Sequence, residues 1–210
     1  MAKNKKKTSA PKTPWWKKPA LWVIVIAVAL ICTVAVSRLG RAPEGGTYEA
    51  TISIRDYGTI TLELDGGAAP KTVENFVALA QDGFYDGLTF HRIMEGFMMQ
   101  GGDPEGTGLG GAPNKIEGEF AANGHDNPIS HVRGVISMAR ANDFNSASSQ
   151  FFIVHQDATF LDGQYAAFGR VIEGMDVVDA VCTAAQPVDN NGTIPPEQQP
   201  VIESITVTAR

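Results

Sequence analysis

The sequence predicts a mainly β fold, a closed antiparallel barrel capped by helices and preceded by one transmembrane helix. Three observations point there. Short runs of alternating apolar and polar residues recur from Thr47 onward, the period of half-buried strands. Two segments interrupt them with apolar residues at helical spacing, as helices capping a barrel would. An uncharged apolar run separates a basic head from an acidic body, as a membrane span would. The strand pattern alone also fits a β-sandwich.

At 210 residues the chain is long enough for one sizeable domain and an appendage. Residues 1–19 form a basic, proline-containing tail. Residues 20–37 are the predicted span, and 38–46 a linker to a domain over 47–210. From Ala20 to Val36 there are 17 residues without a charge. As a helix rising about 1.5 Å per residue they reach roughly 25 Å, the short end of what crosses a bilayer core. Trp15, Trp16 and Trp22 suit the interface on the entry side. Seven lysines precede the run, while only Arg38 and Arg41 closely follow it, so the positive-inside rule places the N-terminus in the cytoplasm and the body outside. Ala35-Val36-Ser37 also offers a signal-peptide cleavage site. The long polar head favours an uncleaved anchor; cleavage would give a secreted protein.

Residues 1–43 hold nine Lys/Arg and no acid, and the rest holds the other 8 Lys/Arg and all 23 Asp/Glu. A body this acidic excludes nucleic acid as a partner and, on net charge alone, favours basic or neutral clients. Of the two cysteines, Cys32 lies in the apolar run. Cys182 reads as a small buried hydrophobe. No Cys/His spacing suggests a metal.

In the body, "TYEATISI" and "GTITLEL" flank the turn "RDYG" and read as a hairpin. Pro70 starts a helix in which Val73, Phe76, Val77 and Ala80 share a face, and Gly83 ends it. Strands return at "LTFHRI" and "FMMQGG", then at "GVISMAR", "QFFIVH" and "YAAFGRVI". "GMDVVDAVC" is a second helix, and "VIESITVTA" a last strand after a Pro/Asn/Gly-rich loop. The glycine-rich "GGDPEGTGLGG" lacks the Lys-Ser/Thr ending of a phosphate-binding loop and reads as turns.

The stretch "FHRIMEGFMMQGGD", residues 90–103, carries the functional signal. Successive residues of a strand point to opposite faces. Met98 therefore shares a face with Gln100, and Phe152 shares one with Gln150. One apolar face of each strand fills the core; the other exposes Met98 and Phe152 beside two amides, as a binding groove does. Arg92 cannot lose its charge, so it either pairs with a carboxylate such as Glu95 or Asp103, or faces a wet groove. Alternation leaves both open. His91 is expected to be a hydrogen-bonded structural residue, and His125, His131 and His155 loop or surface residues.

"FHRIMEGFMMQGGDPEGTGLGG" together with "GVISMARANDFNSASSQFFIVHQDATFLDGQYAAFGRVIEGMDVVDAV" resembles the cyclophilin family of peptidyl-prolyl cis–trans isomerases. The likeness runs from about Tyr48 to Thr208. F-H-R-I, G-F-M-x-Q-G-G-D, S-Q-F-F-I and L-D-G occur in the family's order. The resemblance implies an eight-stranded antiparallel barrel with two capping helices and a peptide groove on its outside. It also implies a monomer that needs no cofactor or metal and acts on proline-containing unfolded or extended polypeptides; together with the apolar run and its flanking charge, the expected protein is a bacterial, membrane-anchored member assisting folding outside the cytoplasm. A non-catalytic module that only binds proline-containing segments needs the same pocket.

Carried over by position, the resemblance makes Arg92 the catalytic arginine. Phe97, Met98, Phe152 and Leu161 become the proline pocket. Gln100 and Gln150 hydrogen-bond the peptide, and Ala139, Arg140 and Ala141 lie along its backbone. Phe160 stands where well-known members have a tryptophan, which bears on tight cyclosporin binding more than on catalysis. Tyr165 replaces a histidine, and Arg140 an asparagine. "ANDFNSAS" is about one residue longer than its counterpart.

Overall fold

The computed structural model describes residues 45–210. The basic tail, the span at 20–37 and most of the 38–46 linker lie outside the described residues. Among the described residues no helix is long and apolar enough to cross a membrane.

The eight sequence-predicted strands and both helices are present. The strands are β1 (Thr47–Ile54), β2 (Gly58–Asp65), β3 (Thr89–Met94), β4 (Met98–Asp103), β5 (Val135–Met138), β6 (Phe151–Val154), β7 (Ala167–Glu173) and β8 (Ile202–Ala209). Helix α1 spans Pro70–Gln81 and α2 Met175–Ala184. Three short 3-10 turns, at 121–123, 159–161 and 196–198, were not legible in the pattern. Proline opens α1, where its missing N–H costs nothing. The start of that helix is capped from a distance: the buried Glu119 carboxylate accepts from the Lys71 and Thr72 N–H groups and from the Thr72 hydroxyl.

The expected closed barrel is not formed. The strands make one curled antiparallel sheet in the order β3-β4-β6-β5-β7-β2-β1-β8, with β3 and β8 as its edges. Those edges meet at one end, where the Thr89–Val201 bridge is flanked by hydrogen bonds from the Phe90 N–H to the Pro200 carbonyl and from the Ile202 N–H to the Leu88 carbonyl. The reason lies in the loop before β8. It occupies the outer edge of β3 itself: the Ile93 N–H donates to the Gly192 carbonyl (2.8 Å) and the Ile194 N–H to the His91 carbonyl (3.0 Å). The result is an open half-barrel with α1 and α2 packed into its core.

The inner faces of the strands meet in a core that includes Ile52, Leu62, Phe90, Met99, Phe151, Ile153 and Phe168. Phe76 of α1 packs edge-on against Phe151 with ring centroids 5.5 Å apart, a favourable aromatic geometry. Val178, Val181 and Cys182 bury the inner face of α2. Burial pushes the Cys182 thiol up to about 12, so it is the inert hydrophobe expected.

Candidate active site

Strict alternation along β3 would send Arg92 to the same side as Phe90, into the core. The register shifts at His91, between Phe90 and Arg92. This bulge lets Phe90 and Ile93 both face inward and turns Arg92 out, opposite Gln100 of β4. A bulge beside an active site commonly re-aims one side chain in this way.

The Gln-Gly-Gly-Asp end of β4 is dictated by crowding. A Cβ on Gly101 would stand 2.7 Å from the Thr89 carbonyl oxygen. Gly102 has φ +83, and a Cβ there would lie 2.6 Å from the Ser149 oxygen, so only glycine fits. Asp103, 1% exposed, then gathers the following loop. Its carboxylate accepts N–H bonds from Glu105 (2.9 Å), Thr107 (3.0 Å), Gly108 (2.6 Å) and Gly110 (3.2 Å).

Neither Glu95 nor Asp103 pairs with Arg92. Its Nε donates to the Asn191 carbonyl at 2.7 Å and its Nη1 to Gln100 Oε1 at 3.2 Å. Thioether sulfurs, weak acceptors, stand 3.7 Å (Met98) and 3.3 Å (Met94) from Nη1 and Nη2. Oxygen acceptors thus take two of the five guanidinium donors, leaving capacity for a ligand. Burial lowers Arg92 from its ordinary value, and Tyr165 and Asp189 oppose that shift; the group remains a cation.

The glutamines continue the chain. Gln100 Nε2 donates to Gln150 Oε1 (2.9 Å), and Gln150 Nε2 donates to the Gly110 carbonyl (2.8 Å). Through its Oε1, Gln100 also orients Arg92.

Beside the guanidinium lies a hollow of about 160 Å³, lined by Arg92, Phe97, Met98, Gln100, Ala139, Arg140, Phe152, Leu161 and Tyr165. All nine were candidate site residues. The volume suits one side chain rather than a drug-sized ligand. Met98 and Phe152 were expected to be exposed; they are 1% and 5% exposed. They form the floor of a second apolar cluster, outside the sheet, which Phe97, Leu161 and Tyr165 cover. Ala141 and Gln150 line an adjoining hollow instead. Phe160 is 72% exposed and does not line the small hollow; it leans on Phe97 with centroids 5.6 Å apart.

His131 and His155 lie in loops, as expected, but are buried, and His91 departs from the hydrogen-bonded residue expected. His131 is fully buried under the floor, stacked on Phe152, with its ring between Asp162 (2.9 Å) and the Ser137 hydroxyl (3.0 Å). His155 is buried and accepts the Gly96 N–H at Nδ1. His91 is buried in the bulge, and neither ring nitrogen has a hydrogen-bond partner. Sequence reasoning also missed Asn191. An Asp-Asn-Asn-Gly run signals a tight turn, but nothing local in it points to an arginine 99 positions away.

The model of the family "Cyclophilin type peptidyl-prolyl cis-trans isomerase/CLD" matches residues 50–207. A peptidyl-prolyl cis-trans isomerase of Synechococcus elongatus is 53% identical over 115 residues, 55% of this chain and 74% of that protein. The human peptidyl-prolyl cis-trans isomerase-like 3 is 42% identical over 155 residues, 73% of this chain and 92% of that protein. Among solved structures, a cyclophilin-type isomerase of Cryptosporidium parvum in the presence of the dipeptide Ala-Pro superposes with a TM-score of 0.67 at 30% identity. The match covers 77% of this chain and 99% of that one. With the re-aimed arginine, the apolar hollow beside it and these likenesses together, the chain belongs to the cyclophilin-type peptidyl-prolyl cis-trans isomerases.

Proposed function

We propose that Arg92 and the hollow beside it carry the isomerisation of Xaa-Pro peptide bonds. The observation that supports this most is the placement of an unpaired, half-buried cation against an apolar hollow of single-side-chain size. Amide resonance resists rotation, with a barrier near 20 kcal/mol even before proline. At the twisted transition state the resonance is lost and the proline nitrogen gains a lone pair. A donor aimed at that nitrogen binds the transition state better than either planar ground state, which is the requirement for catalysis. The free guanidinium donors supply it. The hollow formed by Phe97, Met98, Phe152 and Leu161 holds the ring and excludes water from the less polar twisted amide. Gln100 and Asn191 hold the donor in place, and no proton is transferred.

A short Xaa-Pro peptide tests this: the full-length chain speeds its cis–trans exchange well above the uncatalysed rate. Peptide binding without acceleration leaves only a binding module.

The loop that holds Arg92 has its own latch. The Asp189 carboxylate accepts from the Asn191 N–H (3.0 Å), the Thr193 N–H (2.9 Å) and the Thr193 hydroxyl (2.8 Å). Asp189→Ala is expected to lower kcat/KM about threefold to tenfold, by loosening the carbonyl that fixes Nε. The same substitution in an Arg92→Ala background has no further effect. Equal losses in both backgrounds would show that the loop does not act through Arg92.

The reading extends to place. The uncharged run at 20–36 and the one-sided charge around it support a bacterial, single-pass membrane protein with the domain outside the cytoplasm, serving newly translocated chains. Protease added to intact, wall-stripped cells then digests the domain; resistance until lysis would overturn this. The mass of the mature chain separates an anchor from a cleaved signal.

A further inference from the structure

The body is strongly acidic, yet its groove carries the opposite sign. Of the eight Lys/Arg in residues 44–210, five are paired with carboxylates. Arg55 meets Glu203, Lys71 meets Glu117, Arg133 meets Asp179, Arg170 meets Glu63, and Arg210 meets Glu49. Arg92, Lys115 and Arg140 have no carboxylate partner among the described residues, and all three line the groove. None of the 23 acids lines either hollow.

The second hollow, of about 310 Å³, shares Gln100, Ala139 and Arg140 with the proline-sized one and adds Lys115. Arg140 is braced there. Its guanidinium lies over the Phe120, Phe144 and Tyr165 rings at 5.2, 4.8 and 4.7 Å, and it donates to the Gln164 and Ala141 carbonyls. These contacts hold the side chain and leave its charge uncompensated. Lys115 is exposed. The amide oxygens of Gln100 and Gln150 are turned inward to donors of the chain itself. The hollow therefore offers cations and N–H groups and few free acceptors.

We propose that this second hollow selects substrates bearing an acidic side chain close to the Xaa-Pro bond, read by Lys115 and Arg140. The proposal rests on the isomerase reading and names its substrate class. It runs against the bias toward basic clients that net charge alone would suggest, because a groove responds to the charges lining it. The two cations are partly solvated, so the expected preference is modest.

The test uses the full-length chain in detergent and peptides of one length. Glu, Gln or Lys is placed in turn at the three positions before the Xaa-Pro pair and the two after it. At one position or more, kcat/KM is expected to be about three- to tenfold higher for Glu than for Gln, and lower for Lys. That ranking flattens in about 0.5 M salt, and Lys115→Glu shifts the Glu/Lys ratio toward Lys. Equal rates for Glu, Gln and Lys at every position overturn the charge preference and leave the isomerase reading standing. Failure to accelerate any peptide overturns the isomerase reading, and this one with it.

Discussion

Arg92→Ala is expected to lower kcat/KM for an Xaa-Pro peptide about 10- to 150-fold while leaving the fold intact. A charge-assisted hydrogen bond nets about 1.5–3 kcal/mol, and about 1.4 kcal/mol corresponds to one decade of rate. The residual acceleration comes from the hollow, which keeps Phe97, Met98, Phe152 and Leu161. Stability is spared because Arg92 has no carboxylate partner to be left uncompensated; its oxygen partners are a carbonyl and an amide. Arg92→Lys falls well short of wild type, since an ammonium cannot reproduce the planar fork that meets Asn191 and Gln100 at once. Activity and thermal melting measured on the same preparations check this. A variant that melts with wild type yet loses nothing in kcat/KM would remove Arg92 from the mechanism.

The largest effect on stability is expected at Asp103. Asp103→Ala leaves four loop N–H groups without their acceptor, at a cost of about 3 kcal/mol, or roughly 6–12 °C in Tm for a domain of this size. Activity falls too, because Gly108 and Gly110 in that loop border the second hollow. The pH dependence carries the same signature. Burial pushes the Asp103 carboxyl up, but its four backbone hydrogen bonds outweigh that and hold it below its ordinary 3.8. Its stabilisation is therefore complete above about pH 4 and is lost as pH falls through the lower folded value. His91 and His131 act earlier. Burial holds both below their ordinary 6.5, so the folded state resists protonation and loses stability as pH falls from about 6.5. Melts across pH should show both phases in the wild type and a smaller acid phase in Asp103→Ala, where Glu117, Asp162 and Asp189, also held below their ordinary values, still titrate.

β1 and β2 were legible because they bury one face in alternation, β5 and β6 as short apolar runs buried on both faces, and α1 because Val73, Phe76, Val77 and Ala80 recur at helical spacing. Closure of the sheet was not legible. It depends on which segment takes the outer edge of β3, and residues 192–194 do so from a loop whose composition signals only turns. Alternation correctly placed Met98 with Gln100 and Phe152 with Gln150 on the outer face. It could not see that Leu161 and Tyr165, from a distant turn, would roof that face. For Arg92, alternation left salt bridge and groove both open; the bulge at His91 turns it to the groove side, opposite Gln100. The family's motif order, rather than local pattern, identified the hollow's residues. His131 and His155 lie in loops as expected; their burial was not legible, because loop composition implies exposure.

The central claim is that a permanently charged, fixed donor beside a dry hollow drives rotation without proton transfer. The pH profile of kcat/KM for one uncharged Xaa-Pro peptide tests it most directly. Between about pH 6.5 and 9 the profile should be flat, because Arg92 stays charged and burial holds His91 and His131 below their ordinary 6.5. A bell-shaped profile, or a tenfold change across that window with the protein still folded, would show that a titrating group takes part and would contradict the mechanism.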